Sequence, residues 1–110
     1  MQGDAGAWQE LLREFSVFLR TERGLGERTV EAYMRDLRRF CDFAGRKGYE
    51  APREVKREGL TEFLAEMREQ GLAPRSLARM VASLRTFQRF LLEEGGGESL
   101  PVGDLPYPRH

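Results

Sequence analysis

Apolar residues recur at helical spacing in four stretches of the chain, and each stretch predicts an amphipathic helix. The predicted helices cover about residues 7–23, 27–45, 57–70 and 74–94. Pro74 suits the first position of the fourth helix, and Gly95 suits the position after its end. Because short turns join the helices, the pattern predicts an all-α fold, a compact four-helix bundle made of two helical hairpins.

The two ends of the chain lack this periodicity. Met1 to Ala7 are small or polar, which predicts a frayed lead-in to the first helix. The last stretch, GGGESLPVGDLPYPRH, is rich in Gly and Pro. That composition is typical of a linker, so residues 1–95 are predicted to form the domain and residues 96–110 to lead toward a further domain.

The fourth helix has a cationic face. Arg75, Arg79, Thr86 and Arg89 share the side opposite its apolar stripe. Between residues 73 and 92 there are four arginines and no acid, so these charges have no partner within their own helix. Such a face predicts an anionic ligand or partner.

Charge is segregated along the chain although the formal net charge is zero. Residues 27–48 carry six basic and four acidic residues, whereas residues 50–70 carry four basic and six acidic ones. The outer side of the third helix presents a ladder of acids, which is expected to face solvent or a basic partner: Glu58, Glu62, Glu66 and Glu69.

Candidate chemistry within the chain is sparse. Cys41 lies on the apolar stripe of the second helix, so it is interpreted as a small hydrophobic residue, with a reactive thiol as the less favoured alternative. One cysteine and one histidine supply no metal site, and no cofactor motif, catalytic triad or phosphate loop is present. No signal peptide or membrane-length apolar run is visible, which predicts a cytoplasmic protein without membrane contact.

Two segments together resemble a known family. They are GERTVEAYMRDLRRF, with Thr29, Tyr33, Asp36 and Leu37 in register, and PRSLARMVASLRTFQRFLLEEG. Over about residues 8–95 the chain resembles the N-terminal core-binding domain, called SAM-like, of tyrosine recombinases. Within that family it is most similar to Xer-type recombinases and phage integrases.

The resemblance implies a domain that grips one face of a double-stranded DNA site, while a C-terminal catalytic domain of the same protein grips the other. It also implies assembly as a tetramer on DNA. The cleaving tyrosine and its supporting residues belong to that second domain, so this chain alone is expected to be catalytically inert. With the cationic face, the resemblance gives these candidate DNA-binding residues: Thr29, Tyr33, Arg75, Ser76, Arg79, Arg85 and Arg89.

Several points stay open at the level of sequence. Arg85 falls between the polar and apolar faces, so it could instead anchor the fold through a carboxylate. Gly26, Lys56 and Ala73 stand where relatives commonly have a Ser or Thr cap. The alternative functions are a SAM-like adaptor that binds an acidic protein, a helix-turn-helix regulator, and no ligand at all for a solvated arginine face. Under the DNA-binding hypothesis, Arg79→Ala is expected to weaken duplex binding and to leave the melting temperature nearly unchanged.

Overall fold

The structure, a computed structural model, describes residues 3–103 and 105, of which residues 3–5 are described as backbone only. Its four helices are α1 (Gly3–Thr21), α2 (Glu27–Lys47), α3 (Arg57–Glu69) and α4 (Pro74–Glu94), with a short 3₁₀ turn at Pro52–Glu54. The predicted all-α bundle is confirmed. Of the helices that the structure describes, none combines the length and apolarity that a bilayer crossing requires.

Three of the four helices begin and end within two residues of the prediction, because glycines and a proline mark their boundaries. The first helix differs more, since α1 already begins at Gly3 and ends at Thr21. Its first turn has no apolar stripe that would mark it in the sequence. At its end, the N–H groups of Glu22 and Arg23 donate to Phe18 O, and Gly24 adopts a φ of 64° that favours glycine.

The helices pack as two hairpins, α1 on α2 and α3 on α4, which join where α4 meets α1 and α2. All seven phenylalanines are buried. Phe15 of α1 meets Phe87 of α4 edge to face, with ring centroids 5.1 Å apart, and Phe40 of α2 meets Phe63 of α3 in the same way at 5.1 Å. Two aromatic clusters therefore fix the positions of α2 and α4.

Within the described part of the chain, no side chain caps the N-termini of α2, α3 or α4, as the residues Gly26, Lys56 and Ala73 predict. The N-terminal part of α1 is held differently, because Trp8 Nε1 donates to Tyr49 O at 3.0 Å. This contact ties the first helix to the loop after α2.

The acidic ladder of α3 meets a basic partner within the chain. Glu62 pairs with Lys47 at 2.9 Å, and Glu66 pairs with Arg46 at 2.5 Å. These ion pairs join α3 to the C-terminal end of α2, so much of the negative charge on α3 is already balanced by its neighbour.

The segment after α4 packs against the bundle, which its linker-like composition does not predict. Leu100, Val102 and Leu105 are buried and belong to the hydrophobic core. Leu100 N donates to Gln88 Oε1 of α4 at 2.6 Å, and Glu98 pairs with Arg53. The core therefore extends to Leu105, while a further domain beyond residue 110 stays a prediction.

We expect Leu100→Ala to lower the free energy of unfolding by about 2 kcal/mol, the lower end for a buried leucine, because a surface segment can partly collapse into the space. Urea denaturation followed by circular dichroism measures the change. Ser99→Ala, at the exposed neighbouring position, is the control and should change stability by less than about 0.5 kcal/mol. Equal stability of the two variants would contradict the docked arrangement.

Candidate nucleic-acid interface

The candidate site lies where α2 and α4 pack side by side. Asp36, in the middle of α2, is buried and faces α4, where it accepts hydrogen bonds from Arg79. Thr29 and Tyr33 precede Asp36 on the same side of α2 by two turns and one turn. On α4, Arg75 and Ser76 lie one turn before Arg79. The fold thus brings five of the predicted residues to one seam between two helices.

Arg79 is more deeply involved in the fold than the sequence predicts. Its Nε lies 2.9 Å from Asp36 Oδ2 and its Nη2 lies 2.8 Å from Asp36 Oδ1, and 31% of its side chain is exposed. The hydrogen bonds to Asp36, together with the charge of that carboxylate, raise the pKa of Arg79 above the ordinary value. Because the guanidinium compensates a buried carboxylate, the expected effect of Arg79→Ala changes from a nearly unchanged melting temperature to a loss of stability.

The other two predicted residues lie elsewhere on α4. Arg85 is half-buried, and its Nη2 donates to the carbonyl oxygen of Leu105 in the segment after α4. This contact fits the alternative in which Arg85 anchors the fold, here through a carbonyl oxygen. Arg89 is exposed and lies 14 residues beyond Arg75, a distance of about 21 Å along a helix.

Four arginines of α2 and α4 have no ion pair among the described residues. Arg75 and Arg89 of α4 and Arg28 of α2 are exposed, Arg39 of α2 is half-buried, and none of the four forms an ion pair with any residue that the structure describes. We call the following residues the α2–α4 surface: Arg28, Thr29, Tyr33, Arg39, Arg75, Ser76, Arg79 and Arg89.

Arg28 and Arg39 were not among the predicted site residues. They point away from the core stripe of α2, and Arg39 follows Asp36 by about one turn. The signal that could have found them is their spacing of 11 residues, which is about three helical turns and places both on one line.

Cations on other parts of the molecule mostly have partners. Arg20 of α1 pairs with Glu27 at 2.8 Å, and Arg46 and Lys47 pair with acids of α3. Five further cations have no ion pair among the described residues, two of them on α2 itself: Arg23, Arg35, Arg38, Lys56 and Arg68. The α2–α4 surface thus carries four arginines without such a partner, while the cations at the C-terminal end of α2 are neutralised by acids of α3.

The outward side of α4 carries small residues between its arginines. Ala78, Ala82 and Thr86 lie between Arg75 and Arg89 on this side. Small side chains allow another surface to approach the helix backbone closely. The charge and shape of α4 therefore suit an extended anionic partner that lies along or across the helix.

A groove elsewhere on the surface, of about 760 Å³, is lined by residues that include Trp8, Leu12, Cys41 and Tyr49. Burial raises the pKa of the Cys41 thiol to about 12, with a smaller contribution from the charge of Asp42. The thiol is therefore protonated at neutral pH and a poor nucleophile. This agrees with the interpretation of Cys41 as a packing residue.

Comparison with known proteins defines the family to which this chain belongs. The family model of the phage integrase N-terminal SAM-like domain matches residues 12–95. This range contains α2, α3 and α4 and the second half of α1, and therefore the whole α2–α4 surface. The chain belongs to the family of phage integrase N-terminal SAM-like domains. The resemblance found in the sequence is thereby confirmed.

Its curated relatives are bacterial tyrosine recombinases. The chain is 37% identical to tyrosine recombinase XerD of Listeria monocytogenes serotype 4b over 101 residues, which cover 91% of this chain and 34% of that protein. It is 45% identical to tyrosine recombinase XerC of Methylobacterium nodulans over 109 residues, covering 96% of this chain and 32% of that protein. The chain thus spans about a third of these relatives. No solved structure matches it significantly.

Proposed function

We propose that this chain is the DNA-binding domain of a tyrosine recombinase and that its α2–α4 surface holds one face of the duplex at a recombination site. The observation that carries the proposal is that four arginines of this surface have no ion pair among the described residues, whereas Arg20, Arg46 and Lys47 are balanced by acids. Arginine suits this role because its planar group donates forked hydrogen bonds to phosphate.

The individual residues would make different kinds of contact with the DNA. Arg75 and Arg89, at opposite ends of α4, would contact phosphates at separate points along the DNA, which fixes the register of the domain. The exposed hydroxyl of Thr29 and the hydroxyl of half-buried Tyr33 would add neutral hydrogen bonds near the start of α2. An arginine of α4 that enters the major groove would also discriminate guanine, by about 1–3 kcal/mol for each bidentate contact.

Strand cleavage is assigned in this proposal to a C-terminal catalytic domain outside the 110 residues. The chain would then position DNA without reacting with it, and the full recombinase would assemble as a tetramer at the paired sites. The identity to XerC and XerD over about a third of their lengths supports this division of labour. A SAM-like adaptor that binds an acidic protein is the competing function, since the same arginines would suit it.

The salt dependence of duplex binding tests the proposal. Fluorescence anisotropy with a labelled duplex of about 25 base pairs should give log K falling linearly with log salt concentration, by about 0.9 for each phosphate neutralised. Arg75→Ala should weaken binding, reduce this slope by about 0.9, and leave the melting temperature unchanged, because Arg75 is exposed and forms no ion pair with a described residue.

Arg46→Ala is the matched control. This change also removes one positive charge, but it does so at the C-terminal end of α2, where Arg46 pairs with Glu66. Its slope should equal that of the wild type. If Arg75→Ala and Arg46→Ala reduce the affinity and the slope equally, the duplex is attracted by overall charge alone. Absence of duplex binding at low salt would favour the adaptor function.

A further inference from the structure

Asp36 holds Arg79 in one defined orientation. Its two carboxylate oxygens accept from Nε and Nη2 of the guanidinium at 2.9 and 2.8 Å, which fixes both the position and the plane of the group. Ser83 Oγ lies 3.3 Å from Asp36 Oδ2 and donates to Met80 O at 2.8 Å. The carboxylate thus contacts Arg79 and Ser83 of α4, is hydrogen-bonded by Arg79, and has no exposure to solvent.

The outer edge of Arg79 remains available. A guanidinium has five N–H donors, and Asp36 takes only two of them. Arg79 Nη1 has no hydrogen-bond partner among the described residues and is not among their buried unsatisfied atoms, so it is open to solvent.

Stability alone gives little reason for an ion pair at this place. Removing charges from water costs about as much as the pair regains, and apolar side chains of similar volume commonly hold two helices equally well. What Asp36 and Arg79 supply beyond packing is a guanidinium that is fixed before any ligand arrives. Such preorganisation reduces the entropy that is lost when a flexible side chain becomes ordered on binding.

We propose that Asp36 is a positioning residue for DNA binding: it holds Nε and Nη2 of Arg79 so that the Nη1 edge donates to a phosphate at the α2–α4 seam. This inference rests on the proposed function and adds to it. Asp36 does not touch the DNA and acts only through Arg79. An acid within a cationic surface then strengthens binding, the opposite of what its charge alone would do.

The inference is tested by removing the charge of Asp36, because the expected change in DNA affinity is opposite to the change that charge alone would cause. Asp36→Asn removes the negative charge and leaves a side chain that cannot accept both N–H groups of Arg79. We expect duplex affinity to fall about three- to tenfold, the cost of ordering a released side chain, although the surface becomes more positive. Asp42→Asn, an identical change at an exposed position of α2, should raise affinity slightly by charge alone. Melting curves set a temperature at which every variant is folded.

A second variant decides the question if Asp36→Asn does not fold. Asp36→Leu combined with Arg79→Met keeps the net charge and replaces the pair by apolar side chains that can pack between the helices. We expect affinity to fall about tenfold, because a donor to a charged phosphate is lost. A rise in affinity for Asp36→Asn that matches Asp42→Asn, or wild-type affinity for the double variant, would overturn the inference. Absence of binding by the wild type would instead overturn the proposed function itself.

Discussion

Leu84→Ala should lower the free energy of unfolding by about 2–5 kcal/mol, the range for deleting a fully buried leucine. Leu84 has no exposure to solvent and lies on α4, the helix that packs against α1, α2 and α3. A cavity at this position removes contacts from the centre of the bundle, where the neighbouring helices are held by aromatic side chains and cannot easily close the space. Urea denaturation of the purified chain measures the loss.

The same helix offers a control of identical chemistry. Leu92 is 68% exposed, so Leu92→Ala should change stability by less than about 0.5 kcal/mol. The difference between the two variants therefore measures burial rather than helix propensity, because both exchange the same side chains in one helix. Similar losses at the two positions would contradict the orientation of α4.

Arg79→Ala should also destabilise the fold, by about 3 kcal/mol. It leaves the buried carboxylate of Asp36 without its partner, and removing one member of a buried ion pair costs about 3–5 kcal/mol. The lower end applies because 31% of the Arg79 side chain is exposed to water. Thermal denaturation should show a melting temperature lower by at least about 10 °C.

Arg75→Ala is the control for this second prediction, since it removes the same side chain one turn earlier on α4. Arg75 is exposed and has no ion pair among the described residues, so its melting temperature should be that of the wild type. A wild-type melting temperature for Arg79→Ala would mean that the contact with Asp36 contributes nothing to the folded state.

The sequence predicts the helices well where local signals mark them. The apolar stripes of α2, α3 and α4 end at glycines or begin at Pro74, and their observed bounds lie within two residues of the prediction. The start of α1 carries no such signal, and its extension to Gly3 was missed. The burial of Leu100, Val102 and Leu105 was missed because Gly- and Pro-rich composition reports local flexibility, whereas docking depends on a surface formed by distant residues.

The candidate site, like the fold, can be predicted from sequence only where its features lie within one helix. A helical projection groups Arg75, Arg79 and Arg89 on one side of α4, but it shows only the charges of that helix. Asp36 is 43 residues from Arg79 in the chain, and their pairing depends on how α2 and α4 pack. The contact of Arg85 with Leu105 likewise required the position of the last segment.

The most direct test of the central claim is an NMR titration of the isotope-labelled chain with a DNA duplex at low salt, followed through backbone amide and arginine Nε–H resonances. We predict the largest shift changes at residues of α2 and α4 around Arg39, Arg75, Arg79 and Arg89, and small changes on α3. Changes concentrated on α3 or in the groove beside Trp8 and Cys41, or no changes at all, would contradict DNA binding through the α2–α4 surface.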